Sequence, residues 1–314
     1  MKILILGGTR FIGKALAKSL SDNKFYTVDI FSKRKSKLKK VNKQYLGNLQ
    51  NNFINSTSDY DLIIDFISRE KIHIDNVLKN FNFNLYFYIS TIWVDKKNTY
   101  FRNSSKNFDL KYLPPISRKY ITYKVKIENL LKKRIKKKLK IIRLPIIFSL
   151  TSPRIRYYFD RIFYSNNLIQ SKNFNNTYLY YSDLNSVISF FNRLIENRNR
   201  YKNQTYFVFS GFVSMPRFVK IIAEFLKKKI YINLYSKSFL LKKYKEYLHT
   251  DPFINEYFIN FSNKKLVKFK PLSNIRSLIF TNIKNFKINI KKKYLSKKEK
   301  SFINKFTPHE KIIL

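Results

Sequence analysis

The sequence contains no cysteine among its 314 residues, and only five glycines and three histidines. Without cysteine there is no disulfide bond, no thiolate metal site and no cysteine nucleophile. The histidines are scattered at His73, His249 and His309 and show no ligand spacing, so we expect no structural metal.

Acidic residues are also scarce, with 19 Asp and Glu against 64 Lys and Arg, which gives a formal net charge of +45. Such a charge is typical of proteins that bind nucleic acid or an anionic membrane surface. However, the enriched residues Lys, Asn, Ile, Phe and Tyr have codons built from A and T alone, and the basic residues are spread along the whole chain. We therefore favour compositional drift over a dedicated nucleic-acid surface, which stays open as an alternative.

Long apolar runs are missing as well. No stretch approaches the length of a membrane span, and the apolar start at Ile3 is interrupted by glycines after four residues, unlike the core of a signal peptide. We expect a cytoplasmic protein without a membrane partner. Its length and its hydrophobic fraction of 44% suffice for one large α/β domain or two joined ones.

Three of the five glycines lie close together near the N-terminus, at Gly7, Gly8 and Gly13. They follow Ile3–Leu6, four apolar residues that predict a strand buried on both faces, and they precede a predicted helix that begins at about Ile12. Such a turn brings a helix N-terminus close to a pyrophosphate. The sequence therefore predicts a dinucleotide site, for which the candidate residues are Gly7, Gly8, Arg10, Phe11, Ile12 and Gly13.

Strands and helices alternate through the first half of the chain. Strands are predicted at Phe25–Phe31, Tyr45–Asn48, Leu62–Phe66, Leu85–Ser90 and Leu139–Leu144, with helices near Ile72–Leu78 and Arg118–Lys133. This order predicts a Rossmann-like, doubly wound parallel sheet over residues 1–148, completed by segments near 178–210. Residues 149–289 are predicted to form a smaller C-terminal α/β substrate-binding region, and residues 290–314 a basic C-terminal tail.

The end of the second strand carries Ser32, Lys33 and Arg34. An acidic residue near this point would bind the ribose hydroxyls of NAD, whereas basic residues accommodate the 2′-phosphate of NADP. The cofactor is therefore predicted to be NADP or NAD, with NADP favoured. Asn48, after the third strand, is a further candidate cofactor residue.

Tyr120 and Lys124 are four residues apart in a predicted helix, so their side chains lie on one face. A lysine ammonium beside a phenol favours phenolate and lowers the tyrosine pKa. Tyr120 could then exchange a proton with a substrate hydroxyl while hydride moves to or from a nicotinamide. The alternative is an ordinary solvated helix face, and the position downstream of a strand ending in Ser90 and Thr91 favours the catalytic interpretation.

With these motifs the sequence resembles the NAD-dependent epimerase/dehydratase family of the extended short-chain dehydrogenase/reductase superfamily, which acts on nucleotide sugars. The resemblance covers most of the chain. It includes Leu6–Gly13, Tyr60–Asp65, Tyr88–Thr91, Tyr120-x-x-x-Lys124 with Glu128, Arg143–Pro145, Tyr181–Asp183 and Phe269–Pro271 followed by an amphipathic helix.

The resemblance implies a role for each matching residue. Tyr120 would be the proton donor or acceptor, Lys124 would orient the nicotinamide ribose, and Thr91 would hydrogen-bond the reacting sugar hydroxyl. Gly7 and Gly13 match glycines that contact the cofactor, while Arg10 replaces the middle glycine of the pattern. A guanidinium can itself bind a phosphate through two hydrogen bonds.

Departures from the family pattern reduce the number of reactions that the chain could catalyse. Related 4,6-dehydratases carry an Asp-Glu pair directly after the threonine, where this chain has Ile92 and Trp93, so dehydration is not expected. Asp95 replaces a tyrosine common in the family. The remaining alternatives are epimerisation and reduction of a 4-keto sugar. Generic candidates for diphosphate contacts lie in the second half, at Arg154, Arg156, Arg161 and Arg217.

A different class of function stays open. The chloroplast stem-loop-binding proteins resemble this chain in the glycine turn and act on RNA, and a charge of +45 would suit a phosphate backbone. We rank this RNA-binding alternative below the enzyme. Family members commonly form homodimers through the helix that carries the Tyr-x-x-x-Lys motif. Repulsion among the basic residues of this helix could weaken that contact here. These residues are Lys124, Lys126, Lys132, Lys133 and Arg134.

Overall fold

The chain is represented by a computed structural model. It describes residues 1–51, 59–94, 99–101, 115–149, 152–164, 166–202, 204–243, 257–259, 266–268 and 274–281, and also 302, 304–306, 308 and 310–313. The predictions for Asp95 and Phe269–Pro271, and most of the predicted basic tail, lie outside these residues.

The first half alternates strands and helices, as predicted. Its elements are β1 (Lys2–Leu6), α1 (Phe11–Ser21), β2 (Thr27–Ser32), β3 (Lys43–Leu46), β4 (Asp59–Asp65), α2 (Lys71–Asn80), β5 (Asn82–Thr91), β6 (Thr99–Phe101), α3 (Pro115–Ile135), β7 (Leu139–Leu144) and β8 (Ile146–Phe148). Helix α3 begins three residues before the predicted Arg118. Its first residue, Pro115, fits there because the first turn of a helix needs no N–H donor.

The second half begins with α4 (Pro153–Tyr164), β9 (Asn167–Ser171), β10 (Tyr178–Asp183), α5 (Leu184–Glu196), β11 (Thr205–Phe209), β12 (Gly211–Ser214) and α6 (Met215–Leu226). It continues with β13 (Tyr231–Tyr235), α7 (Lys237–Lys243), β14 (Tyr257–Ile259), β15 (Leu266–Lys268) and β16 (Glu310–Ile313). Residues 275–281 are also helical. Ser214 occupies the N-cap position of α6, although its side chain makes no capping hydrogen bond there.

The central sheet has eight described strands in the order β3-β2-β1-β4-β5-β7-β11-β15. All neighbouring pairs are parallel, which confirms the predicted doubly wound sheet. The chain starts in the middle, runs outward to β3 and returns to β4. The strand order therefore reverses between β1 and β4, and the crevice beyond their carboxyl ends is where ligands bind in such sheets.

Helices cover both faces of this sheet. Helices α1 and α5 contact each other on one face, where Asn192 Nδ2 donates a hydrogen bond to Ser19 Oγ at 3.0 Å. Helices α2 and α3 contact each other on the opposite face. Burial on both sides explains why β1 is apolar from Ile3 to Leu6, each of which is fully buried.

Two smaller sheets, β12-β10-β8 and β16-β13-β9, pack with α4 and α6 around a separate apolar core. The last strand, β16, lies within the predicted tail and pairs with β13 in antiparallel fashion. The division of the chain into domains stays a prediction. No helix in the described ranges combines the length and the apolar character needed to cross a bilayer.

Candidate active site

The turn after β1 depends on glycine at three points. Gly7 has φ +98°, a conformation that glycine adopts readily, and its N–H donates to the carbonyl oxygen of Phe31 at 2.8 Å. A Cβ on Gly8 would lie 2.6 Å from Ile30 Cγ2, and a Cβ on Gly13 would lie 2.3 Å from the carbonyl oxygen of Gly7. Because Gly8 and Gly13 have no Cβ, the N-terminus of α1 can lie directly against the end of β1.

Arg10 occupies the N-cap of α1. Its backbone is extended, with φ −137°, so a residue with a side chain fits this position without strain. The side chain is exposed, next to the N–H groups of the first helical turn. The left-handed backbone falls instead on Phe11, with φ +44°, which is uncommon for a residue other than glycine. Phe11 and Ile12 are half-buried against the core.

The other candidate cofactor residues lie at the same edge of the sheet, because they follow β2 and β3. Ser32 is buried, and its hydroxyl donates to the carbonyl oxygen of Arg34 at 2.7 Å, which closes the turn after β2. Lys33 and Arg34 are exposed. Asn48 is half-buried, and its Oδ1 accepts a hydrogen bond from the backbone N–H of Gln50 at 3.3 Å.

Thr91 is the last residue of β5, at the carboxyl edge that also carries the glycine turn, and it is buried. Lys124 reaches this strand from α3. Its Nζ donates a hydrogen bond to the carbonyl oxygen of Ile89 at 2.7 Å and lies 4.6 Å from the ring centre of Tyr88. Lys124 is only 4% exposed, so it does not contribute to the surface repulsion that we expected along α3.

Tyr120 lies one helical turn before Lys124 and is half-buried. Helix α3 contacts both β5 and the 3-10 turn Ile92–Val94 that follows Thr91. The phenol of Tyr88 lies near Tyr120. Burial raises the pKa of Tyr88 most, and the charges of Asp65 and Tyr120 raise it further. The structure thus brings Thr91, Tyr120 and Lys124 to one end of β5.

Burial lowers the pKa of Lys124 to about 8. Three charged groups act on it in addition: the carboxylates of Asp65 and Glu128 raise this pKa, and Arg69 lowers it. Because the ammonium is desolvated, its charge acts strongly on groups beside it.

Asp65 is a site residue to which the sequence motifs assigned no role, although it ends the matching segment Tyr60–Asp65. It ends β4 fully buried, and its Oδ1 accepts the backbone N–H groups of Ile67 and Ser68, each at 2.9 Å. Its Oδ2 accepts the hydroxyl of Tyr86 at 2.6 Å. The sequence feature that could have identified it is an acidic residue at the end of an apolar strand, which the fold places at the switch point of the sheet.

A buried ion pair involves Glu128, one helical turn after Lys124 on α3. Arg143 Nε donates to Glu128 Oε1 at 3.0 Å, and the Glu128 carboxylate also lies 3.7 Å from Lys132 Nζ. The guanidinium carbon of Arg143 is 5.2 Å from the ring centre of Phe207. This pair connects α3 to β7 and thereby fixes the helix that carries Tyr120 and Lys124.

Apolar residues follow Thr91. Ile92 is fully buried, and Trp93 packs edge-on against Tyr180 with ring centres 5.9 Å apart. Of the arginines predicted to contact a diphosphate, Arg156 pairs with Asp160 at 3.4 Å, Arg161 lies over the ring of Tyr157, and Arg217 is exposed at the start of α6. The side chain of Arg154 lies outside the described residues.

Neither the protein-family models nor the curated proteins include a match to this sequence. Solved structures do match. The UDP-glucuronic acid 4-epimerase from Bacillus cereus, in complex with UDP-glucuronic acid and NAD, has a TM-score of 0.63 at 13% identity, over 91% of this chain and 100% of that chain. The dTDP-glucose 4,6-dehydratase from Bacillus anthracis, in complex with NAD, has a TM-score of 0.60 at 12% identity, over 92% and 97%.

A third match is the L-threonine dehydrogenase from Phytophthora infestans, with a TM-score of 0.62 at 14% identity, over 92% of this chain and 100% of that chain. The chain therefore shares its fold with these three enzymes. Its structure is similar to those of nucleotide-sugar epimerases and dehydratases, in agreement with the fold that the sequence motifs indicated.

Proposed function

We propose that the chain is an NAD(P)-dependent enzyme that transfers hydride at a sugar carbon of a nucleotide sugar. One observation carries this proposal: the glycine turn after β1 and the set of Thr91, Tyr120 and Lys124 lie at the same carboxyl edge of one parallel sheet. A dinucleotide that starts at Gly7 and extends across the switch point would place its nicotinamide near β5.

The residues at the glycine turn fit a dinucleotide. Close contact between Gly13 and Gly7 leaves the first N–H groups of α1 accessible to a pyrophosphate, and the exposed Arg10 guanidinium lies beside them. Lys33 and Arg34 would bind a 2′-phosphate, which supports NADP over NAD. When bound, the nicotinamide supplies the hydride acceptor or donor.

The protein's own groups would handle the proton. Tyr120 gives a proton to, or takes one from, the reacting sugar oxygen, and Thr91 donates a hydrogen bond to the same oxygen. The buried ammonium of Lys124 favours the phenolate form of Tyr120. Its hydrogen bond to Ile89 sets the position of this charge relative to Thr91.

Two reactions remain within this proposal. In a 4-epimerase the hydride returns to the opposite face of the sugar, whereas in a 4-keto-sugar reductase it leaves with the product. Ile92 and Trp93 offer no acid or base for loss of water, which argues against a dehydratase. The basic end of β2 gives slight support to a reductase.

Cofactor retention separates these outcomes. The purified protein is tested for bound NAD or NADP and is then assayed with each cofactor against a panel of UDP- and dTDP-sugars and their 4-keto forms. Retained NAD with interconversion of C4 epimers identifies an epimerase, and consumption of NADPH identifies a reductase. Failure to bind either cofactor would contradict the proposal.

RNA binding is the second candidate, and an exposed basic run at the end of α3 favours it. This run comprises Lys132, Lys133, Arg134, Lys136, Lys137 and Lys138. If RNA is the partner, affinity for a stem-loop falls steeply with salt because counterions are released. A flat salt profile would contradict RNA binding by this surface.

A homodimer through α3 also belongs to this proposal. The burial of Lys124 removes one charge from the contact surface, and Arg134 is paired with Asp75 of α2. Light scattering at physiological salt tests it, and a monomeric mass would contradict it.

A further inference from the structure

A cavity lies at the edge of the central sheet opposite to the glycine turn, where β4, β5 and β7 begin. Its volume is about 550 Å³, within the range of small-molecule sites. Its polar lining comes from the starts of these strands and from the segment after α5: Asp61, Asn84, Lys140, Arg198, Asn199 and Lys202. The length of the strands therefore separates it from Thr91 and the glycine turn.

Lys140 is the unusual residue of this cavity. It belongs to a buried strand and is only 2% exposed, and its Nζ donates to the carbonyl oxygen of Tyr201 at 2.8 Å. Burial of an ammonium is costly unless an anion or strong acceptors lie nearby. This desolvation lowers the pKa of Lys140 to about 8. The catalytic proposal makes no use of this charge.

Two further cations border the cavity. Arg198 is half-buried and Lys202 is exposed, and both belong to the segment after α5. The lining includes one carboxylate in the described part of the chain, that of Asp61, whose Oδ2 already accepts the backbone N–H of Lys2 at 2.8 Å. Positive charge therefore exceeds negative charge, and Asn84 and Asn199 add groups that can donate hydrogen bonds.

The geometry points to a second binding site in this cavity for a small phosphate-bearing anion. All three cations line it: Lys140 is buried, Arg198 half-buried and Lys202 exposed. A guanidinium and an ammonium that line one partly desolvated space bind phosphate oxygens more strongly than exposed lysines do. Because this site lies at the amino ends of the strands, its ligand would not compete with a dinucleotide at the carboxyl ends.

Pyrophosphate is a suitable probe, and calorimetric titration of the full chain measures its binding. The Lys140→Met variant is expected to bind it about tenfold more weakly, since one charged hydrogen-bond donor is lost. Arg198→Gln should weaken binding similarly and leaves the buried strand intact, which keeps the test valid if Lys140→Met folds poorly. Lys136→Met is the matched control, because Lys136 is an exposed lysine that does not line the cavity.

Arg10→Ala distinguishes this cavity from the glycine turn. If pyrophosphate binding persists in Arg10→Ala and falls in Lys140→Met and Arg198→Gln, the second site is supported. The NMR signal of the Lys140 side chain should then titrate at higher pH with pyrophosphate than without it. Equal binding by wild type and both cavity variants, or binding that disappears only in Arg10→Ala, would overturn the inference.

Discussion

Lys124 and Ile89 are joined by a hydrogen bond from Nζ to the backbone carbonyl oxygen, 2.7 Å long. Ile89 lies two residues before Thr91, so the bond connects the helix that carries Tyr120 to the strand that carries the candidate substrate contact. Because the ammonium is buried, the free energy of its protonation depends strongly on the few charges around it. The predictions for the catalytic edge follow from this environment.

Asp65 should set the alkaline limit of activity. Its carboxylate raises the pKa of Lys124, while burial, the larger effect, and Arg69 lower it, and the result is about 8. In Asp65→Asn the pKa of Lys124 falls further, so Lys124 loses its proton at a lower pH. The alkaline limb of the kcat/KM profile should therefore move to lower pH.

Tyr86→Phe is the control for this shift, because it removes the hydroxyl that donates to Asp65 but keeps the carboxylate charge. Its alkaline limb should stay closer to that of wild type. Glu128 also faces Lys124 and raises the same pKa, and it is unchanged in both variants. Superimposable profiles for Asp65→Asn and wild type would show that Asp65 does not act through Lys124.

Arg34 should determine cofactor preference. It is exposed after β2, where a 2′-phosphate would lie. Arg34→Ala is expected to weaken NADPH binding about tenfold, since a charged hydrogen bond is lost, and to leave NADH binding nearly unchanged. Lys24→Ala removes the same charge at the opposite end of β2 and should alter neither affinity. Equal loss of both cofactors would assign Arg34 to another role.

The buried pair Glu128–Arg143 should contribute strongly to stability. The Glu128 side chain is 1% exposed and that of Arg143 is 11% exposed. Glu128→Gln leaves the guanidinium without its countercharge, which should lower the free energy of unfolding by about 3–5 kcal/mol in urea titrations.

The pair Glu224–Arg276 supplies the comparison, because its side chains are 41% and 63% exposed at a separation of 3.4 Å. Glu224→Gln should cost less than about 1 kcal/mol. If both variants lose the same stability, burial does not determine the contribution of the Glu128 pair.

Much of the fold could be predicted from local patterns. The apolar run Ile3–Leu6 and the glycines after it identified β1 and its turn, and the spacing of Tyr120 and Lys124 identified one face of α3. These features depend on neighbours in the sequence, so a single chain shows them.

The remaining features depend on contacts between distant segments. The depth of Lys124 is set by its packing on β5, which brings Ile89 and Tyr88 to its ammonium. Lys140 is one lysine among many in the sequence, and only the pairing of β7 between β5 and β11 buries it. Helical spacing and strand patterns carry no information about such burial.

Hydride transfer controlled by Tyr120 is the central claim. Its most direct test is the absorbance of reduced nicotinamide in single-turnover mixing of the cofactor-loaded protein with the nucleotide sugar that the substrate panel identifies. The wild-type protein should show reduction or oxidation of the nicotinamide. Tyr120→Phe should slow it by about a hundredfold or more, the usual contribution of a general acid or base, with cofactor affinity unchanged. Equal rates for Tyr120→Phe and wild type would contradict this account.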